Sequence, residues 1–211
     1  MNNGASQRPL DEGSSGRQGR QKNAVSSQQT SQFANAPRPD DDGAALGLEG
    51  TRLPALQLAS TLGGEINLAE AASRLVLYVY PHATGTPYAP APGWADIPGA
   101  IGCTAESCAF RDRQPGFASL GASVMGLSAQ RDEEQRQFAA RMDITFPLLS
   151  DPHLRLAADL GLPTFEAGGL LLYKRLTLVA DAGQIVKAFY PVFPPDLHPA
   201  EVLGWLQQRL R

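Results

Sequence analysis

The sequence predicts an α/β fold, a central mixed sheet with helices on both faces. Three observations carry that expectation. Runs of strand type alternate with helical stretches between residues 74 and 160. A hairpin signal and an amphipathic helix then close the chain. Hydrophobic residues make up 43% of the 211, enough to build a real core.

The elements follow in order. Asn67 is placed to cap a short helix over LAEAASR. Residues 74–80 (RLVLYVY) form a β-branched and aromatic run long enough for a buried strand. A helix is expected to begin near Cys103, and residues 123–127 (SVMGL) read as a second buried strand. Residues 131–142 (RDEEQRQFAARM) are helical in composition, with acids in the first turn. Residues 146–149 are a short strand, and a helix starting at Pro152 ends near Gly161. Residues 175–180 (RLTLVA) and 184–190 (QIVKAFY) are joined by Asp181-Ala182-Gly183, a hairpin turn. Residues 200–209 are the terminal helix, with Val202, Leu203, Trp205, Leu206 and Leu210 facing the core. A βαβ unit followed by a ββα unit is the thioredoxin arrangement.

The ends of the chain differ in character. Up to about residue 45 the large apolar residues are Met1, Leu10, Val25 and Phe33 alone, and Ser, Gln, Asn, Gly and Arg dominate. Such a stretch cannot offset its ordering entropy by burial, so residues 1–50 are expected to be a disordered tail and residues 51–211 the folded domain. The net charge of −3 gives no basic excess for nucleic acid. No run approaches a membrane span, and the first 30 residues lack the apolar core of a secretory signal. A soluble, cytoplasmic protein is the expectation.

The two cysteines, Cys103 and Cys108, are too few for a secreted disulfide scaffold. His82, His153 and His198 are scattered and do not complete a zinc pattern with them. The pair lies in Gly102-Cys103-Thr104-Ala105-Glu106-Ser107-Cys108-Ala109-Phe110-Arg111-Asp112, after a buried strand and a long loop. Cys103 thus falls in the first turn of a helix, where unpaired backbone N–H groups and the helix dipole favour the thiolate. A thiolate attacks a peroxide O–O bond and becomes a sulfenic acid, which a second thiol condenses to a disulfide. Cys108 is that second thiol in reach. In a regular helix, residues five apart have Cα atoms about 8.6 Å apart, whereas a disulfide needs less than about 7 Å. A Cys103–Cys108 bridge therefore requires the helix to unwind. Residues 81–101 form a Pro- and Gly-rich βα loop of about 20 residues, well above the usual length, readable as a passive insertion or as a lid.

The stretch GCTAESCAFRD resembles the active-site segment of the peroxiredoxin Q, or bacterioferritin-comigratory, subfamily of peroxiredoxins. The resemblance runs over roughly residues 52–211. Tyr78-Val79-Tyr80-Pro81 looks like the family's strand ending in Tyr-Pro, FPLLSD (146–151) resembles its central segment, and RLTLVADAGQI (175–185) is similar to its arginine-bearing strand and hairpin. The resemblance implies a thioredoxin-dependent peroxidase acting on hydrogen peroxide or organic hydroperoxides. It makes Cys103 the peroxidatic cysteine, Cys108 the resolving one, and Arg175 the arginine that stabilises thiolate and peroxide. Pro81, Thr86 and Glu106 are the supporting residues it implies. Where the family carries a threonine three residues before the peroxidatic cysteine, this chain has Ala100; Thr84 and Thr86 are the candidates for that hydroxyl. No metal, haem, flavin or other cofactor is implied. The expected partners are a peroxide and a thioredoxin-like reductant, without nucleic acid or membrane, in a monomer or weak homodimer.

Other readings stand beside these. Cys103 on its own is also what a small core residue looks like, and Cys108 could belong to the core of the same helix. Glu106 fits equally an acidic N3 cap or an arginine-orienting carboxylate. Arg111 reads as an exposed helix cation. Gly168-Gly169 starts no phosphate-loop pattern, and Trp94 and Trp205 read as packing anchors. The competing function is a thioredoxin-like redox sensor or binding module without peroxidase turnover.

Overall fold

In the computed structural model, Met1, residues 31–83 and residues 92–210 are described. Among the described residues seven strands form one sheet, in the order β2 (Glu65–Asn67), β1 (Gln57–Ser60), β5 (Leu148–Ser150), β4 (Ser123–Ser128), β3 (Arg74–Val79), β8 (Leu176–Asp181) and β9 (Gln184–Phe189). The strands β3 (Arg74–Val79), β4 (Ser123–Ser128) and β5 (Leu148–Ser150) are parallel neighbours at its centre. β8 (Leu176–Asp181) runs antiparallel to β3, and β9 (Gln184–Phe189) pairs with β8 across the Asp181-Ala182-Gly183 turn. At the other edge β1 (Gln57–Ser60) is antiparallel to β5 and to β2 (Glu65–Asn67). A separate hairpin joins β6 (Thr164–Ala167) to β7 (Leu170–Tyr173). The helices are α1 (Cys103–Ser119), α2 (Asp132–Arg141), α3 (Arg155–Leu160) and α4 (His198–Arg209).

The alternation of β3 divides the core. Leu75, Leu77 and Val79 join a cluster with Leu127, Leu149, Leu178 and α3 residue Leu156. Val76 and Tyr78, with Tyr80 just beyond, join a second cluster containing Phe110 and Phe117 of α1, Phe138 of α2, and Val202 and Leu206 of α4. The sheet is thus covered on both faces, as the sequence pattern predicts. Gly126 sits at the centre of β4 for a steric reason. A Cβ there would lie 2.6 Å from Leu148 Cδ2 and 2.7 Å from the Tyr78 hydroxyl, so any side chain would displace the ring packed over the strand. Among the described residues no helix is long and apolar enough to cross a membrane.

Three expectations need correction. Residues 31–50, assigned to the tail, instead lie along the domain. Leu48 is only 3% exposed within the first core cluster, Gly50 N donates to Ile185 O at 2.8 Å, and Lys187 Nζ meets Glu49 Oε1 at 2.9 Å. This arm is held by one buried leucine and by polar anchors on the domain, which an apolar-residue count does not register. Leu210, assigned to the core face of the last helix, is 44% exposed, because α4 ends at Arg209 and Leu210 is already its cap. The helix predicted from Asn67 is a single 3-10 turn, Leu68–Glu70, with the Asn67 side chain accepting from Ala69 N at 3.2 Å.

Candidate active site

Cys103 is the first residue of α1. The preceding Gly102 has φ 100°, a left-handed conformation that lets the chain turn sharply into the helix. A Cβ on Gly102 would come within 2.4 Å of Pro195 Cγ, so the turn is also crowded from outside. Cys103 is 3% exposed, and its thiol lies 3.6 Å from Ala100 O as a sulfur donor. One turn later Glu106 is fully buried. Tyr78 donates from its hydroxyl to Ser107 Oγ at 3.1 Å, which fixes this part of α1 against the sheet.

Arg175 enters from the other side. It immediately precedes β8, whose register sets Leu176 opposite Val79 at the end of β3. The guanidinium is therefore delivered to the same end of the central strands as the start of α1. Arg175 Nη2 donates to Cys103 Sγ at 3.1 Å and faces the carbonyls of Ile101 at 3.1 Å, Gly99 at 3.3 Å and Ala100 at 3.4 Å. Arg175 Nη1 pairs with Glu106 Oε2, and both side chains are sequestered from solvent. Burial pushes the Glu106 carboxyl above its ordinary range, with Arg175 and then His198 pulling the other way. Burial would lower Arg175, but Cys103 and Glu106 reverse this and raise it above its usual value. A permanently charged fork against a sulfur, backed by a buried carboxylate, is an arrangement that stabilises negative charge at that sulfur.

Around Cys103 is a cavity of about 280 Å³ bordered by Gln32, Phe33, His82, Trp94, Ala100, Ile101 and Thr104. Tyr80, just past the end of β3, packs in the same core cluster as Cys103 and donates to Gln135 Oε1 at 2.5 Å; burial raises its phenol, with Cys103 adding to the shift. Cys108 is half-buried on a neighbouring cavity shared with Gln32, Asp112 and Asp196. Burial raises its thiol, Arg111 opposing and Asp112 adding. Both thiols are free, and α1 is unbroken between them. The regular-helix separation of about 8.6 Å therefore applies, and a disulfide cannot form without unwinding.

Of the residues singled out from sequence, Cys103, Glu106 and Arg175 meet in one contact. Pro81 is buried directly after Tyr80. Thr84 and Thr86 lie outside the described residues. Arg111 is half-exposed and pairs with Asp112, with its Nη1 also reaching Met142 O. Trp94, read as a packing anchor, is buried and stacks obliquely on Phe165, but it also borders the Cys103 cavity. Gln32 and Phe33 have no sequence signal, because they reach the site only through the docked arm, and Asp196, just before α4, has none because its partners are in that arm. Among the described residues no group of His, Cys, Asp and Glu could hold a metal ion.

A thioredoxin-like sheet with a buried thiol at a helix start, held by an arginine, defines a thiol-based redox protein. The family model described as Redoxin matches residues 48–203, and among curated proteins the chain is similar to peroxiredoxin Q, chloroplastic, of Suaeda salsa. That relative is 32% identical over 161 residues, which cover 75% of this chain and 67% of the relative. Peroxiredoxin Q of Triticum aestivum, also chloroplastic, is 31% identical over 185 residues, covering 84% of this chain and 77% of that one. Among solved structures, peroxidoxin BcpB of Mycobacterium tuberculosis matches with a TM-score of 0.61 at 29% identity, covering 76% of this chain and 96% of that one. The bacterioferritin comigratory protein of Xanthomonas campestris, whose structures address alkyl peroxide reduction, matches at 0.61 and 26%, covering 75% and 94%. The chain belongs to the redoxin family and, within it, to the peroxiredoxins, which are thiol-dependent peroxidases.

Proposed function

We propose that the chain reduces hydrogen peroxide or organic hydroperoxides through Cys103, and that Cys108 resolves the product. The observation that carries this is the 3.1 Å contact between Arg175 Nη2 and Cys103 Sγ, both side chains buried and backed by the buried Glu106. The thiolate of Cys103 attacks one peroxide oxygen. The S–O bond forms as the O–O bond breaks, and the departing alkoxide or hydroxide takes a proton and leaves as alcohol or water. Arg175 stabilises negative charge on the sulfur before attack and on the leaving oxygen during it. Glu106 holds the guanidinium in place. Cys108 then attacks the sulfenic sulfur, a disulfide forms and water leaves. A dithiol protein of the thioredoxin type returns both cysteines to thiols, and the bond is easily reduced if unwinding α1 strains it.

The test is peroxide consumption coupled to thioredoxin and its reductase. Cys103→Ser abolishes turnover, because a serine hydroxyl supplies no comparable nucleophile near neutral pH. Arg175→Ala slows the peroxide step by about 10²-fold or more. Substantial turnover by Cys103→Ser would overturn the assignment. Stoichiometric peroxide also separates this reading from a sensor or binding module, since a peroxidase loses both thiols rapidly.

A further inference from the structure

The arm that precedes the domain reaches the reactive thiol. Ser31 Oγ donates to Asp196 Oδ1 at 2.6 Å, and Gln32 N donates to Asp196 Oδ2 at 3.2 Å. Phe33 N donates back to Ser31 Oγ at 3.0 Å, which sets the direction of the next side chain. The Phe33 ring then lies against the turn into α1, with its Cζ 3.2 Å from where a Gly102 Cβ would be. Further along, the Arg38 guanidinium lies over the Phe193 ring at 5.7 Å, and Pro39 Cγ is 3.4 Å from the corresponding point on Gly99. Asp42 closes the arm, accepting from Lys174 Nζ at 2.6 Å and from the Tyr190 hydroxyl at 2.8 Å. Residues 31–42 are thus fixed at both ends and in the middle, with the start of α1 beneath them.

The consequence is chemical. The cavity at Cys103 is lined by Gln32 and Phe33 from the arm and by Trp94 and Ile101 from the domain. Trp94 is itself held edge-on to His82, with ring centroids 6.2 Å apart. Gln32 and Phe33 are the two residues of the arm that line this cavity together with Cys103. A molecule in the cavity at Cys103 therefore has the Phe33 and Trp94 rings among its walls.

We propose that Phe33 is a specificity-determining residue: with Trp94 and Ile101 it forms an apolar vestibule that favours hydroperoxides carrying a compact hydrocarbon group over hydrogen peroxide. The inference rests on the proposed role of Cys103 and adds a selectivity to it. Hydrogen peroxide has no apolar surface to bury and gains little from the ring. A cumyl or tert-butyl group loses water contact against Phe33 and Trp94 as its O–O bond meets the sulfur. The cavity of about 280 Å³ has room for a group of that size. A hydrophobic contact of this kind changes discrimination by about tenfold or somewhat more.

The experiment compares kcat/KM for cumene hydroperoxide and for hydrogen peroxide in the full chain, with one reductant throughout. Phe33→Ala is expected to lower the ratio of the two constants by about tenfold, and Phe33→Leu to lower it less. Asp196→Ala, which keeps the Phe33 side chain but releases the anchor that positions it, is expected to lower the same ratio by a smaller factor. A ratio unchanged in Phe33→Ala overturns the inference, and so does an equal fall in both constants, which would mean that the ring only supports the turn at Gly102. Wild-type protein inactive toward both peroxides, or an active Cys103→Ser variant, would instead remove the reading of Cys103 and this inference with it.

Discussion

At Arg175 a single guanidinium faces one carboxylate, three carbonyls and one sulfur while remaining 4% exposed. A buried ion pair of this sort contributes little net stability, because desolvation offsets the attraction. What it contributes is position, since each acceptor narrows where the fork can sit. Cys108 is governed by a different balance. Its burial, with Asp112, keeps it protonated at neutral pH more firmly than a free thiol, and Arg111 offsets this only in part. The sign is therefore toward slow thiol chemistry while α1 stays folded. In Cys103→Ser protein, the rate of Cys108 alkylation should rise with pH to a midpoint above the ordinary thiol value, and fall back toward that value in urea. A native midpoint at or below the ordinary value would contradict the role given to burial. The chemistry-bearing residues were legible because reactive thiols have few alternatives in a chain with two cysteines. Glu106 was ambiguous because an acid in the first turn of a helix suits either a cap or an inward role; with Gly102 as the N-cap it falls at N4, not at the N3 position expected for a capping acid, and it points inward to Arg175. Only the fold brings Arg175 to it.

At the scale of elements, long periodic stretches were readable and short edge pieces were not. β3, β4, α2, the β8–β9 hairpin and α4 fall within a few residues of their sequence assignments. β1 and β2 were missed because they are 4 and 3 residues long and lie at a half-exposed edge, where alternation hardly registers. The β6–β7 hairpin was missed as well. Its signal was Gly168-Gly169, which takes φ 59° and 78° between two short runs, as a two-residue hairpin turn requires. The element that matters most for function is α1. It is regular from its first residue, so an internal disulfide has to melt one to two turns. Amide hydrogen exchange across residues 102–112 should accelerate on treatment with one equivalent of peroxide, with a loss of about 2 Da and no intermolecular dimer. Persistent protection with dimers linked through Cys103 would show that Cys108 does not resolve.

For the molecule as a whole, the domain is completed by chain that composition assigns to a tail. The arm places Leu48 in the core and ties Asp42 and Glu49 to Lys174 and Lys187. Asp42 is held down to about 2 by its contacts with Lys174 and Tyr190, so that anchor is at full strength above the ordinary carboxylate range and weakens as pH falls toward 2. Deleting residues 1–50 should destabilise the domain by about 2–5 kcal/mol, the range for losing one buried leucine, and lower Tm on the order of 10 °C. An unchanged melting temperature would show that the arm contributes nothing to the fold. The same anchoring also sets a clock. Gln32 borders the cavities of both cysteines, so α1 has to fray beneath a pinned arm before the two sulfurs meet. A sulfenic acid kept waiting is exposed to a second peroxide, and the product of that encounter, a sulfinic acid, is not returned by an ordinary dithiol. The intact chain should therefore record high peroxide as a gain of about 32 Da at Cys103, at lower doses than a chain beginning at residue 44. If the shortened chain is overoxidised as readily, the arm does not slow the meeting of the sulfurs. If it is overoxidised less, the strap makes this peroxidase a dosimeter that trades its own turnover for a lasting mark of oxidant exposure.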